Sequence, residues 1–381
     1  MPSIITTGAG SARGWGWAAT IASGTPSGGL WSTGLNSFGP LGLGNTTGYS
    51  SPKQVGSLTT WTVTSADLYN NYALKSDNTI WSWGNNSQGE LGLGTSGVGT
   101  YKSSPVQIGA LTNWLSLASA RYGVISLKTD GTLWSWGFNS SGQLGLGNRT
   151  RYSSPKQIGA LTTWLSVTMG YAYCMAIKTD GTLWSWGLNT FGPLGLGNTT
   201  NYSSPKQVGS LTSWLNATGS QYFSLAIKTN NTLWSWGRNQ SGQLGLGNLT
   251  NYSSPVQIGS LTTWLKKSAG MYGYSFSVIP KTNGTLWAWG FGNQGQLGLG
   301  NTTNYSSPVQ IGALTTWLLS STGVYTSFAI KTNGALYAWG KNNYGQLGLG
   351  NLTSYSSPKQ VGSLTTWLAA SASYSSTFIK T

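Results

Sequence analysis

Few residues of this 381-residue chain could carry covalent chemistry, and their types and spacing speak against it. There is no histidine to act as a general base, and the nearest of the five acids (Asp67, Asp77, Glu90, Asp130, Asp180) are ten positions apart, at Asp67 and Asp77. Proton transfer needs groups held together at matched pKa, and nothing here supplies such a pair. Cys174 is the lone cysteine; it can form no intrachain disulfide and reads as a small buried hydrophobe. Without histidine or clustered carboxylates neither a metal nor a cofactor is expected. The chain reads as a binding protein, not an enzyme.

Two repeated patterns could serve binding. Lys75, Lys128, Lys178, Lys228, Lys281, Lys331 and Lys380 stand at equivalent hairpin ends, so a closed ring of repeats would set seven positive charges on one side as an anion-binding ring. Solvated turn lysines are the plainer reading. The segment just before those strands differs most between copies and is rich in tyrosine: Tyr69, Tyr122, Tyr171, Tyr173, Tyr222, Tyr272, Tyr274, Tyr325 and Tyr374. A uniform scaffold with one divergent, Tyr-bearing segment per copy is how a recognition face would be written, because tyrosine offers contact area at low entropic cost; loop drift is the alternative.

The elements that position these residues are repeats. Leu-Gly-Leu-Gly opens at Leu41, Leu91, Leu144, Leu194, Leu244, Leu297 and Leu347, a period of about fifty residues. In the copy that starts at Trp214, short strands are expected over 214–219, 223–228, 232–236 and 255–258, with Lys-Thr-Asn-Asn-Thr as a hairpin turn that requires positive φ. Leu233-Trp-Ser-Trp-Gly sets two indoles on one strand face. Gly242-Gln-Leu-Gly-Leu-Gly-Asn superficially looks like a phosphate loop, but it opens no helix and recurs in every copy, so a tight structural turn is expected. All but Trp15 and Trp17 of the 21 tryptophans lie at fixed repeat positions. Burial at ~25 cal/mol per Å² gives up to ~5 kcal/mol for each, which makes them core.

The expected fold is therefore all-β: a seven-bladed β-propeller of four-stranded antiparallel blades, its ring closed by terminal strands. Repeats fall near 15–60, 61–113, 114–163, 164–213, 214–263, 264–316 and 317–366, with closing strands at 367–381 and residues 1–14 as an N-terminal arm. Residues 15–23 also resemble an inner strand and compete for the closing position. No signal peptide of ordinary type and no membrane span is read.

Trp-Ser-Trp-Gly-x-Asn-x-x-Gly-Gln-Leu-Gly, at Trp134 to Gly145 and Trp234 to Gly245, resembles the signature of the regulator of chromosome condensation repeat family. That resemblance implies a seven-bladed propeller and a face used for protein binding, as in an exchange factor on chromatin, domains of larger regulators and a secreted bacterial inhibitor. The family typically has a histidine before the second strand. This chain has none, and Tyr222, Tyr325 and Tyr374 are read as standing in its place, with Tyr69 and Tyr122 at the same offset from the following lysine.

The net charge of +15 favours anionic partners, but the basic residues are scattered, so nucleic acid is disfavoured. The favoured reading is a virion structural or host-surface attachment component, a phage tail or capsid appendage, at a virion or extracellular surface. Its partners would be viral assembly neighbours, an anionic surface glycan or further copies of the chain. The alternatives are a cytoplasmic protein-binding regulator or inhibitor using one propeller face, and a chromatin-associated regulator.

Overall fold

The computed structural model describes residues 27–120, 123–265 and 275–381. These form seven small antiparallel sheets. Six have four strands; in the remaining one three strands are described, with Trp264 bridged to Lys281 where the first strand would begin. Numbered from the closing sheet, blade 5 shows the plan, with strands Trp214–Gly219, Phe223–Lys228, Leu233–Gly237 and Tyr252–Gln257 paired in that order. The first strand lies innermost, next to the first strands of its neighbours, and the Tyr-Ser-Ser-Pro strand forms the rim. Turns between the first and second strands, and the long Gly-rich loops between the third and fourth, emerge at one end of the ring. Hairpins between the second and third strands emerge at the other.

Local chemistry explains each element. The hairpin turn needs a left-handed residue; glycine fills it at Gly131 and Gly181, and Asn78 (φ 61°) and Asn231 (φ 62°) fill it elsewhere. The fourth strand carries a central proline, which suits an outer edge because no ladder donor is needed there. Around the axis the first strands are small and hydroxylated, and they bond across blades: Ser65 to Ser119 at 2.9 Å, and Ser373 Oγ to the Asp67 carbonyl at 2.7 Å. Small side chains let seven strands converge without a large core.

The ring closes as expected. Trp367–Ser371 and Ser375–Lys380 are the inner two strands of blade 1, beside Gly29–Gly34 and Tyr49–Gln54. Gly29 faces Lys380 and Gly34 faces Ser375 in an antiparallel register. Building blade 1 from strands of both chain regions locks the ring at its closing seam and leaves only the short outer edge of each blade. The arm expected at 1–14 and the competing strand at 15–23 lie outside the described residues.

Blades are joined by the Gly-rich loop, which is a hook and not a phosphate cradle. In six seams the second indole of the third strand donates its N–H to a carbonyl in the preceding blade's loop, as from Trp186 to Gln143 at 3.0 Å and Trp236 to Pro193 at 2.8 Å. A loop glycine lies flat against that indole: a Cβ on Gly145 would stand 2.6 Å from Trp186 Nε1, and its φ of +72° is left-handed. All seven hooks end in a backbone bond to the next blade's fourth strand, such as Gly147 N to the Ser203 carbonyl at 2.8 Å.

Gly145→Ala combines backbone strain with a clash against a buried indole, so it is expected to destabilise the ring by about 2–4 kcal/mol. Gly159→Ala, at a φ of +60° with nothing within 4 Å, is expected to cost only about 1 kcal/mol. Denaturant unfolding of the two variants, side by side, checks this.

Candidate functional site

At the hook end of the ring, the described turns after the first strands meet the Gly-rich loop of the preceding blade. Tyr69, Tyr171, Tyr222, Tyr325 and Tyr374 all sit half-buried in these turns. Each packs on an aromatic neighbour: Tyr69 on Phe38 at 5.5 Å, Tyr222 on both Tyr171 (5.3 Å) and Phe191 (5.2 Å), Tyr325 on Phe291 at 6.3 Å, and Tyr374 on Tyr344 at 5.6 Å. The loop partners Phe38, Phe191, Phe291 and Tyr344 did not stand out in the sequence. A signal was there: Phe-Gly-Pro at Phe38 and Phe191 replaces the Ser-Gly-Gln of other copies.

Cations join the same end. Arg238 lies 5.1 Å from the Phe191 ring centre and 5.9 Å from that of Tyr222, and both its Nε and Nη2 donate to Gln240 Oε1. Lys341 lies 5.5 Å from Tyr325, and Arg151 5.8 Å from Phe138. Tyr171, Phe191, Tyr222 and Arg238 thus form one continuous aromatic and cationic cluster across blades 4 and 5.

Not every tyrosine expected on this face is there. Tyr173 is fully buried: its hydroxyl contacts the Phe223 carbonyl and Ser224 Oγ and accepts from Ser220 N, and burial pushes its pKa up. It opens the second strand and, by strand alternation, points into the seam. In blade 5 the corresponding buried place at the start of the second strand belongs to Phe223, while Tyr222, one residue earlier, stays half-buried in the turn. Tyr122, Tyr272 and Tyr274 lie outside the described residues.

The seven lysines do not form an open charged ring. Lys75, Lys128, Lys178, Lys228 and Lys281 each hold Nζ 3.6–3.8 Å from the centre of a third-strand indole, with the first-strand indole about 5 Å away. Lys331 lies over Tyr337 at 4.3 Å and Lys380 over Trp31 at 4.6 Å. The ammonium groups face indole π-clouds within their own blade, a favourable pairing when partly desolvated. Burial lowers the pKa of Lys75, Lys128, Lys228 and Lys281. The adjoining turn is locked by Asp130, whose Oδ1 accepts from Thr132 N at 2.9 Å and from Thr132 Oγ1 at 2.6 Å; these bonds hold its carboxyl below the usual range.

Among the described residues no cluster of three metal-ligating groups occurs, and no helix is long and apolar enough to cross a membrane. Cys174 is buried, its thiol near the Gln143 carbonyl at 3.2 Å, and burial pushes its pKa up.

One titratable group sits in a hook. Glu90 occupies the place that Gln143, Gln243, Gln296 and Gln346 take in other blades. In each case one side-chain oxygen accepts from the backbone two residues earlier, as from Ser141 N to Gln143 at 2.9 Å and Gln88 N to Glu90 at 2.5 Å. The second polar atom is buried without a partner, Nε2 in the glutamines and Oε1 in Glu90. Burial raises the Glu90 pKa, and Asp67 nearby adds to the rise. A protonated Glu90 reproduces the shape of the amide.

The family model for the regulator of chromosome condensation repeat matches residues 77–126, 130–177, 180–227, 230–276, 283–330 and 333–379, and a second model of that repeat matches 164–192. Curated protein sequences give no match. Among solved structures, yeast RCC1 (Prp20) bound to Kap60 is similar at TM-score 0.84 and 17% identity, over 100% of this chain and 95% of that one. Prp20p from Saccharomyces cerevisiae, studied for its binding to Gsp1p and histones, gives 0.83 and 18%, over 94% and 93%. Human WBSCR16 gives 0.81 and 18%, over 93% and 100%. At these identities the likeness is one of fold. None of it supports a virion component, a virion surface location or a glycan partner; the regulator alternatives accord better with these relatives.

Because the folded-state pKa of Glu90 lies above its ordinary value of 4.5, its contribution to stability is full below that value and is lost as pH rises through the folded-state pKa. Glu90→Gln removes the ionisation. It is expected to be more stable than the native chain at pH 7.5 by about 1 kcal/mol, with the gap closing near pH 4.5, as read from denaturant unfolding at the two pH values.

Proposed function

The chain belongs to the regulator of chromosome condensation repeat family, and on that premise we propose that it is a non-enzymatic protein-binding regulator that recognises its partner with the hook end of the propeller. The observation that carries the reading is the cluster of Tyr171, Phe191, Tyr222 and Arg238. Aromatic and arginine side chains, backed by a rigid sheet and gathered from two blades, are the composition of interface hot spots. The scaffold beneath is nearly invariant from copy to copy, whereas these positions diverge, so the side chains that vary are those that meet solvent at one end.

Yeast proteins of the same fold are bound to Kap60 or studied for binding to Gsp1p and histones, all of them proteins. A protein partner is the class carried over to this chain. A chromatin-associated role is the second reading, favoured by the net charge of +15.

The test is capture of partners from the native host by the immobilised chain. The double variant Tyr222→Ala/Arg238→Ala is expected to weaken the principal partner by about 30-fold or more, as for loss of a hot spot. Leu211→Ser, at the opposite end, is expected to leave capture unchanged. Equal loss in both, or in neither, sinks the assignment of the face.

A further inference from the structure

The lysine clamps are not equivalent, and the difference lies in the adjoining turn. In blades 2, 3 and 4 the hairpin carries an exposed acid, Asp77, Asp130 or Asp180, whose carboxylate acts on the charge of Lys75, Lys128 or Lys178. In blades 5, 6 and 7 the same position is Asn230, Asn283 or Asn333. The asparagine keeps the turn: Asn283 Oδ1 accepts from Thr285 N at 3.1 Å and Thr285 Oγ1 at 2.7 Å, as Asp130 does from Thr132. What is lost is the counter-charge. Among the described residues no carboxylate acts on Lys281, whose pKa is lowered by burial alone.

Two of these uncompensated lysines open into grooves. At the seam of blades 5 and 6, a groove of about 370 Å³ is lined by Leu246, Leu261, Trp264, Lys281, Trp287 and Pro308, among others. At the next seam, one of about 400 Å³ is lined by Leu299, Leu314, Trp317, Lys331, Tyr337 and Pro358 in the equivalent places. Their walls are indole, leucine and proline; their rims are the half-exposed Leu261 and Leu314; and among the described residues the lysine is the one charged side chain lining each. Such volumes suit a small molecule with an apolar body and one polar end.

We propose that the grooves holding Lys281 and Lys331 bind a small alkyl or aryl carboxylate, the apolar body lying along the Trp and Leu walls and the carboxylate meeting the lysine ammonium. Each ammonium keeps N–H donors beyond its aromatic contact; Lys331 uses one on Tyr337 Oη at 3.0 Å. A charged acceptor in a partly desolvated groove gains more from such a donor than it would in open water. In blades 2 to 4 the turn carboxylate already acts on the charge of the lysine, and it would repel a second carboxylate.

The test uses an exchange that the fold itself makes elsewhere. Asn283→Asp/Asn333→Asp supplies the internal acid that blades 2 to 4 carry, so the turns should fold as before, and unchanged thermal unfolding confirms it. Titration calorimetry with hexanoate at low salt is expected to show binding to the native chain, about tenfold weaker in the double variant. Hexan-1-ol is expected to bind both forms equally and weakly. Equal hexanoate affinity in the two forms, hexanol binding as tight as hexanoate, or no hexanoate binding at millimolar concentration overturns the proposal.

Discussion

The structure depends on one contact: in six of the seven seams an indole N–H of the third strand reaches back to a carbonyl in the previous blade's loop, over a glycine that has no side chain to obstruct it. A blade of four short strands buries little on its own and has no independent stability. The hook turns a row of such sheets into one body, because each seam joins a large apolar ring, a directed hydrogen bond and a backbone bond to the rim. Six seams use Trp83, Trp136, Trp186, Trp236, Trp289 and Trp339 in this way. The seventh, where the two ends of the chain meet, has Thr33 in place of the indole, bonding to the Gly345 carbonyl at 3.0 Å.

The hook also separates the ends of the ring by surface chemistry. Its loop must be fixed where it grips the neighbour but is free to vary a few residues earlier, beside the turn of the next blade. Phe38, Phe191, Phe291 and Tyr344 occupy that freedom and meet the turn tyrosines. The side chains of the proposed recognition face therefore assemble across seams, each side supplied by a different repeat. At the other end the lysine clamps hold their charges against indoles, so a chain of net charge +15 presents much less open positive charge there than its composition suggests.

Small departures from the repeat carry information that the repeat itself does not. Glu90 in a glutamine place introduces an ionisable group into one hook, and asparagine in place of aspartate removes a counter-charge from three turns. In each, the same side-chain oxygen still accepts the backbone N–H while the electrostatics change, although blade 7, with Ala335 in the threonine place, keeps the backbone bond alone. Such single-atom substitutions on a uniform scaffold let one blade differ in chemistry without differing in shape.

The period of Leu-Gly-Leu-Gly, the alternation in Leu-Trp-Ser-Trp-Gly and the Asn or Gly turns were enough by themselves to determine the all-β class and the count of seven, whereas the choice of 367–381 over the competing strand at 15–23 for the closing position was decided by the fold. Local pattern decides strand and turn, and repetition decides the ring. The surroundings of each side chain were decided by tertiary structure. Tyr173 and Tyr171 are two residues apart and equally tyrosine, yet one is sealed in a seam and the other lies at the surface, because strand register begins between them. The lysines read as a solvent-facing ring from their spacing alone; only the indoles on strands folded over them turn that ring into separate clamps. Spacing along a chain fixes which residues are equivalent, but what surrounds them depends on side chains that folding brings in, from the same blade for the lysines and from the neighbouring repeat for Tyr173.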